Sequence, residues 1–313
     1  ILFGNPDAPG RLRKLFNFLR HRKRALVQLA APLNLKEFLE EHEHLQREEA
    51  VGQKVRWALN RRIYLEERII RGPVLKPAKR MREEILRLKQ VEQLIQTTAD
   101  NDKRSPRSVR KKVRRYLKEI VADWKLGVVE FLCFLLTFIF SRIYAGIEVN
   151  GLNHVRDAAR QAPLVILPCH RSHSDYLLIS YVFYAHGLVP PHIAAGKNLS
   201  FWPLGPLFRR GGAFFLRRGF RQNPIYKQIF ETYFHKLLKE GYSIEFFLEG
   251  GRSRTGKLIR PRYGLLTHVV NSVVAGHAHD LRVCPAAIGY EKIIESASFL
   301  DELSGVDKDQ ENI

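Results

Sequence analysis

Apolar runs alternate with helical segments from residue 146 onward, and this alternation constrains the fold more than any other feature of the chain. The run APLVILP, residues 162–168, contains no polar side chain, which is typical of a strand buried on both faces. Later apolar runs predict further strands in HIAAG, GAFFLRR, YSIEFFLE and LRVCPAAIGY. The sequence therefore predicts an α/β fold with a mostly parallel central sheet flanked by helices.

Residues 1–125 form a basic region that we expect to be all-helical. This region has 31 Lys and Arg against 16 Asp and Glu, whereas residues 126–313 have 21 against 16. Such a surface attracts nucleic acid, anionic lipid or phosphorylated substrates, although a basic run is also a common solvated helix face. The chain has no helix-turn-helix, zinc or RNP signature, so we expect no nucleic-acid partner.

Composition excludes two classes of protein. The chain is 45% hydrophobic and 11% aromatic, which is enough for a sizeable core, so it is not a disordered protein. Its 3 cysteines are an odd number and lie far apart, which excludes a disulfide scaffold and indicates a reducing compartment.

An apolar segment separates the basic region from the α/β part. Between Val128 and Phe140 only Glu130 and Thr137 are polar. A bilayer span needs about 20 apolar residues, so this segment is short for crossing a membrane. It could be a buried core helix, a helix that enters one leaflet or a short span. The basic helix before it favours entry into one leaflet, and we expect residues 126–145 to form a membrane-associating helix.

The first candidate site lies directly after the predicted strand 162–168. The segment LPCHRSHSDY places His170 and Asp175 between this strand and a predicted helix, where sites of α/β sheets collect. A histidine there can act as a general base if a carboxylate holds its other ring nitrogen. The residues could instead be a capping Asp and a loop His, metal ligands together with His173, or a thiol site at Cys169. No further ligand cluster stands out nearby, so we favour the general base and expect no metal.

A second candidate site is the glycine-rich segment EGGRSRTGKLIRPRYG, in which Glu249 ends a predicted strand. Residues 251–257 match the P-loop pattern, but Leu258 stands where a magnesium-binding Ser or Thr is needed, so nucleotide binding is not favoured. The segment is better interpreted as an anion-binding turn with free backbone N–H groups. Its cationic side chains are Arg252, Arg254 and Lys257.

Arg217 and Arg218 form a third candidate site, at the end of the predicted strand GAFFLRR. They could be a surface pair beside a buried strand, or one of them could face the same cleft as the base. A His–Asp base with several arginines at neighbouring strand ends describes a site for a phosphate-bearing substrate whose hydroxyl is activated.

Four segments occur in order over roughly residues 160–292: PCHRSHSDYLLISY, GLVPPHIAAGKNLSFWPLGPLFRRGGAFFLRR, FFLEGGRSRTGK and CPAAIGYE. This set resembles the glycerolipid acyltransferases, and within them the bacterial membrane-bound glycerol-3-phosphate acyltransferases (PlsB type). The Gly250-Gly251-Arg252 sequence favours that branch, because lysophosphatidate acyltransferases usually have Gly-Thr-Arg there. Residues 146–313 are then expected to be an acyltransferase domain that lacks C-terminal parts, since chains of this type are much longer.

The resemblance implies roles for individual residues. His170 and Asp175 match the catalytic base and the carboxylate that orients it. Other residues in or beside the motifs are expected to bind substrate, with the proline of the last motif near the acyl donor; they are Gly212, Phe215, Arg217, Arg218, Glu249, Gly250, Arg252, Ser253, Arg254, Lys257 and Pro285.

The implied function is transfer of a fatty acyl group from acyl-CoA or acyl-ACP to the sn-1 hydroxyl of glycerol 3-phosphate, which gives lysophosphatidate. The acyl donor is a co-substrate, and no cofactor is expected. The chain has no G-x-S-x-G elbow, in agreement with direct transfer. An anionic phospholipid bilayer is the implied partner, with a peripheral or monotopic place on the cytoplasmic face of the bacterial inner membrane. The alternatives are dihydroxyacetone phosphate or lysophosphatidate as acceptor, and a basic membrane- or nucleic-acid-binding protein without catalysis.

Overall fold

The computed structural model describes residues 32–41, 48–217, 219, 223–253, 257–278 and 280–291. The chain divides into two compact units, Ile1–Val74 with His186–Val189 and Leu75–Ala185 with Pro190–Ile313. The second unit contains the sheet and every candidate site residue.

Two helices are described in the first unit, α1 (Leu35–Glu40) and α2 (Glu48–Arg71). Asn34 caps α1, because its side-chain oxygen accepts a hydrogen bond from the backbone nitrogen of Lys36 at 3.2 Å. Both helices lie in the basic region that the sequence predicts to be helical.

Five parallel strands in the second unit form a sheet with the order β3-β2-β4-β1-β5. Their bounds are β1 (Leu164–Pro168), β2 (His192–Gly196), β3 (Ala213–Leu216), β4 (Ile244–Glu245) and β5 (Arg282–Ala286). The predicted fold class, a parallel central sheet flanked by helices, is confirmed. β4 is shorter than the predicted strand 242–249, because a turn closed by a hydrogen bond from Gly250 N to Phe247 O begins soon after it.

The strand order decides which loops meet. β1 and β4 are neighbours in the middle of the sheet, with Ile166 opposite Glu245. The carboxyl ends of parallel strands lie at the same edge of the sheet, so the segments after these two strands are adjacent. These segments contain the first and second candidate sites.

A layer of helices covers one face of the sheet. These helices are α3 (Ala78–Leu86), α4 (Lys89–Asn101), α5 (Pro106–Ile120) and α10 (Pro224–Lys239). Their buried side chains form one cluster with Val165, Phe214 and Ile244 of the sheet. Residues 75–125 therefore share a compact unit with the sheet, although their charge sets them apart. The division into 1–125, 126–145 and 146–313 stays a prediction.

The remaining helices pack around the strand connections. They are α6 (Leu126–Ile143), α7 (Leu152–Gln161), α8 (Asp175–Ala185), α9 (Leu204–Arg210), α11 (Gly264–Val274) and a 3₁₀ helix, Lys197–Ser200.

Helix α6 is longer than the apolar segment Val128–Phe140. It has 18 residues, which is about 27 Å, and among the described residues it is the one helix long and apolar enough to cross a membrane. One side of it is buried, through Val129, Cys133, Leu136 and Phe140. The other side exposes Phe131, Phe134 and Phe138, so α6 is not a fully buried core helix.

Candidate active site

The loops that follow β1 and β4 form the candidate active site. The Nδ1 atom of His170, two residues after β1, lies 3.0 Å from Oδ2 of Asp175, the first residue of α8. The side chain of His170 is 14% exposed, whereas that of Asp175 is fully buried. This hydrogen bond occupies Nδ1 and leaves Nε2 as the ring nitrogen that can take a proton from a substrate.

Asp175 is held as a carboxylate by donors on both of its oxygens. Oδ2 also accepts hydrogen bonds from the backbone nitrogens of Arg171, at 2.6 Å, and Ser172, at 2.8 Å. Oδ1 accepts one from the hydroxyl of Tyr290 at 2.6 Å. Burial by itself would raise the pKa of Asp175, but the hydrogen bonds from His170, Tyr290 and the backbone outweigh it, and the pKa lies below its usual value.

Tyr290 is a member of this site that the sequence analysis did not single out. It follows β5 and lies 115 positions from Asp175 in the chain. The available signal was its place in the last motif, CPAAIGYE, although nothing in that motif indicates contact with the His–Asp pair.

Glu249 connects the second candidate site to the base through the backbone. Its Oε1 accepts a hydrogen bond from the backbone nitrogen of His170 at 3.0 Å, and its Oε2 accepts one from that of Ile259 at 3.4 Å. The backbone nitrogen of Ser253 donates to the carbonyl oxygen of His170 at 2.7 Å. The ring of Phe247 stacks on that of His170 with centroids 4.0 Å apart. The loop after β4 therefore fixes the position of the base, and Glu249 is engaged with backbone in this structure.

In the glycine-rich turn, Gly250 has a left-handed backbone conformation, which favours glycine. This residue has a φ of +63°, and a Cβ atom there would lie 2.9 Å from Cδ of Arg262, so a larger residue would be strained. Ser253 is buried, and its hydroxyl donates to the carbonyl oxygen of Lys257. Arg252 is half-buried and Lys257 is exposed. Arg254 lies outside the described residues.

Arg217 is already paired with a carboxylate. Its Nε and Nη2 atoms each donate to Glu119 at 2.6 Å, and Nζ of Lys197 lies 3.4 Å from the same carboxylate. The two arginine bonds, together with the charge of Lys197, keep the pKa of Glu119 below its usual value despite burial. An anion bound to Arg217 would have to compete with Glu119. Arg218 lies outside the described residues.

Three further predicted site residues have no described contact with His170. Gly212 has a φ of +112°, and a Cβ atom there would lie 3.0 Å from Cδ1 of Trp124. Phe215 is fully buried in β3, with the guanidinium carbon of Arg209 4.7 Å from its ring centroid. Pro285 is exposed on β5, opposite Leu167 of β1. Phe215 therefore belongs to the buried core of this unit.

Glu245 is a second buried acid near the base, which the sequence analysis did not identify. It is fully buried in β4, and neither carboxyl oxygen has a hydrogen-bond partner among the described residues. Burial, together with the negative charge of Asp175, raises the pKa of Glu245 well above its usual value. Of the two buried acids, Glu245 is therefore the one whose pKa is raised and Asp175 the one whose pKa is lowered.

The sequence also allowed a metal site or a thiol nucleophile in this loop. Within the part of the chain that the structure describes, no three His, Cys, Asp or Glu side chains are grouped as a metal site. Sγ of Cys169 accepts a hydrogen bond from the backbone nitrogen of Ile288 at 3.1 Å, which places the thiol between two strand ends. The geometry instead fits a general base that serves a substrate hydroxyl.

Comparison with known proteins agrees with the resemblance of the motifs. The chain is 37% identical over 308 residues to the glycerol-3-phosphate acyltransferase of Shewanella loihica, covering 98% of this chain and 38% of the relative. It is 37% identical over 314 residues to the protein of that name from Pseudomonas fluorescens strain SBW25, covering 100% of this chain and 37% of the relative.

The chain thus spans less than two fifths of the length of these curated relatives. A narrower match covers the part of the chain that contains the His–Asp pair, Glu249 and the glycine-rich turn. Residues 146–289, which hold these side chains, match the family described as Acyltransferase.

Proposed function

We propose that the protein transfers a fatty acyl group from acyl-CoA or acyl-ACP to the sn-1 hydroxyl of glycerol 3-phosphate. The observation that carries the proposal is the His170–Asp175 pair, 3.0 Å apart, at the carboxyl end of β1. The name of the relatives supports the choice of glycerol 3-phosphate as acceptor.

In the proposed reaction, Nε2 of His170 removes the proton of the sn-1 hydroxyl as its oxygen attacks the thioester carbonyl carbon. A carbon–oxygen bond forms, and a tetrahedral intermediate carries the negative charge. When the intermediate collapses, the carbon–sulfur bond breaks and the imidazolium returns its proton to the thiolate. Asp175 holds Nδ1–H and stabilises the imidazolium in between. Because the acceptor oxygen itself attacks the thioester, the proposed reaction has no acyl-enzyme.

The phosphate of the acceptor needs cationic partners close to the base. Arg252 and Lys257 lie in the turn that is hydrogen-bonded to the backbone of His170 through Ser253. We assign the phosphate to this turn, together with Arg218 and Arg254 as the family resemblance implies. Arg217 has a smaller part in this assignment, because its guanidinium is paired with Glu119.

We propose a monotopic place on the cytoplasmic face of an inner membrane. The exposed aromatic side of α6 supports this, since its inner side packs on the protein and is not available to a second leaflet. Helix α5 has basic side chains for anionic headgroups, of which the exposed ones are Arg107, Lys111, Arg114, Arg115 and Lys118.

The test is an assay of the purified protein with radiolabelled glycerol 3-phosphate and each donor in turn, with labelled lysophosphatidate as the readout. His170→Ala should lower the rate by about 10²–10⁴-fold, the usual contribution of a general base. His154→Ala, at an exposed histidine of α7, is the matched control and should keep the parent rate.

Labelled product from dihydroxyacetone phosphate or lysophosphatidate, but not from glycerol 3-phosphate, would contradict the assigned acceptor. Parent-like turnover by His170→Ala would contradict the base. Salt-sensitive binding of nucleic acid without any acyl transfer would favour the non-catalytic alternative.

A further inference from the structure

A chain of aromatic contacts connects the exposed helix α6 to the carboxylate behind the base. Phe140, in the last turn of α6, packs against Tyr144 with ring centroids 5.8 Å apart. The ring of Tyr144 lies 5.9 Å from that of Tyr290, at an angle of 34°. The hydroxyl of Tyr290 then donates to Oδ1 of Asp175 at 2.6 Å.

The two oxygens of Asp175 are held in different ways. Oδ2 accepts from His170 and from two backbone nitrogens that belong to its own loop. Oδ1 accepts from Tyr290, the one donor that the described residues supply to it. The loop therefore fixes one oxygen, while the rotation of the carboxylate plane depends on a residue beyond β5.

We propose that Tyr290 is a positioning residue of the reaction, whose hydroxyl orients Asp175 for His170 and whose ring is held by Tyr144 at the end of α6. This inference rests on the proposed function of His170 as base. It makes α6 part of the catalytic architecture as well as a surface helix, because the ring that supports Tyr290 directly follows α6.

The direction in which the Tyr290 hydroxyl affects His170 follows from the negative charge of Asp175. A donor to Oδ1 withdraws part of the negative charge that Asp175 presents to His170. When the donor is removed, the carboxylate attracts the Nδ1 proton of His170 more strongly and stabilises the imidazolium more. A residue with only a structural role would lower the stability of the protein without changing this interaction.

The experiment compares Tyr290→Phe, which removes only the hydroxyl, with Tyr181→Phe as matched control. Tyr181 also lies against α6, and its hydroxyl accepts from Thr137 at 3.4 Å, but it has no described contact with Asp175. We expect Tyr290→Phe to lower kcat about tenfold or more, with little change in the KM for glycerol 3-phosphate. The acid limb of kcat/KM should move to higher pH, and Tyr181→Phe should leave both unchanged.

A spectroscopic measurement that does not need turnover separates this inference from the proposed function. The Nδ1–H proton of His170 is followed by NMR in protein labelled with ¹⁵N-histidine, and its signal is assigned by its loss in His170→Ala. A changed chemical shift of this proton in Tyr290→Phe, which reports an altered hydrogen bond to Asp175, supports the inference even if the parent makes no lysophosphatidate. Parent-like kcat, pH profile and Nδ1–H shift in Tyr290→Phe would overturn it.

A second variant tests the contact with α6. Tyr144→Leu keeps the hydroxyl of Tyr290 but removes the ring that packs on it. We expect a smaller fall in kcat and a smaller shift of the acid limb, both in the same direction as in Tyr290→Phe. If Tyr290→Phe lowers kcat and Tyr144→Leu does not, the part of the proposal that includes α6 is wrong.

Discussion

Asp175 accepts four hydrogen bonds in a fully buried position, and this decides which nitrogen of His170 is available for chemistry. With the carboxylate held ionised, Nδ1 of His170 carries its proton toward Oδ2 and Nε2 is the basic atom. The same donors lower the pKa of Asp175, so its contribution to stability is present at neutral pH and is lost only in acid.

At the residue scale, Arg252 tests the assignment of the phosphate. We expect Arg252→Ala to raise the KM for glycerol 3-phosphate about 10–150-fold, the cost of a lost hydrogen bond between charged groups. The KM for the acyl donor should change much less, because Arg252 is assigned to the phosphate of the acceptor. Steady-state kinetics with each substrate varied in turn provides the measurement.

The control for this prediction is Arg260→Ala, an exposed arginine in the same loop. It should leave both KM values near those of the parent, and Arg252→Lys should restore only part of the lost affinity, since a lysine cannot form the bidentate contact. Equal increases in the two KM values after Arg252→Ala would show that the phosphate lies elsewhere.

At the scale of elements, helix α6 has one side packed on the protein and an opposite side with exposed aromatic side chains. Its buried residues repeat every three or four positions and pack on the protein, where Phe140 meets Tyr181 of α8 with ring centroids 5.5 Å apart. Its opposite side exposes 52% of Phe131 and 73% of Phe134. An exposed aromatic patch of this kind indicates an interaction surface, and we assign it to a lipid leaflet.

We expect the double variant Phe131→Asp/Phe134→Asp to bind vesicles on the order of 100-fold more weakly than the parent. The reason is that each phenylalanine contributes about 1.5–3 kcal/mol when it is fully buried. The measurement is flotation with vesicles of phosphatidylglycerol and phosphatidylethanolamine at low and high salt. High salt should weaken binding of the parent only in part, because the basic face of α5 is screened and the apolar contact persists.

Ser141→Asp, which adds one negative charge at an exposed polar position of the same helix, should float nearly as well as the parent. A double aspartate variant that floats like the parent would mean that the aromatic side of α6 does not face lipid. Accessibility of the two ends of α6 from opposite sides of the vesicle would show that the helix spans the bilayer.

At the scale of the whole molecule, the centre of the sheet contains an acid that makes folding depend on pH. Glu245 lies between β1 and β2, with Ile166 and Ile193 as its register partners, and no described donor reaches its carboxyl group. Its pKa is raised above the usual 4.5, so the folded protein retains a proton that the unfolded chain releases. The contribution of Glu245 to stability is therefore highest below pH 4.5 and falls as pH rises toward its pKa in the folded protein.

We expect Glu245→Gln to be more stable than the parent at pH 7, and the difference to shrink toward pH 5. The gap should grow by up to about 1.4 kcal/mol per pH unit while one extra proton is bound in the folded state. Urea unfolding at pH 5, 6 and 7 measures it. Glu148→Gln, at an exposed position, should show no such trend, and a gap that is equal at all three pH values would contradict the buried titration.

Interactions between near neighbours in the chain allow the secondary structure and part of the site to be predicted from the sequence. The buried strand 162–168 and the alternation after it predicted the parallel sheet, since only a strand covered on both faces is apolar throughout. The spacing of His170 and Asp175 across a strand end and a helix start predicted their pairing, because both lie in one short loop. Gly250 likewise lies in the predicted glycine-rich turn, where the structure gives it a positive φ.

Tertiary packing alone decided which distant residues meet. Arg217 and Glu119 are 98 positions apart, and their pairing depends on α5 ending beside β3, so the sequence could not tell a phosphate ligand from an ion pair. Tyr290 meets Asp175 because β5 lies next to β1 in the strand order. The sequence by itself determined the strands, the helices and the residues of one loop, since these depend on near neighbours. Three other features depend on which elements become neighbours when the sheet assembles. They are the raised pKa of Glu245, the pairing of Arg217 with Glu119 and the hydrogen bond from Tyr290 to Asp175.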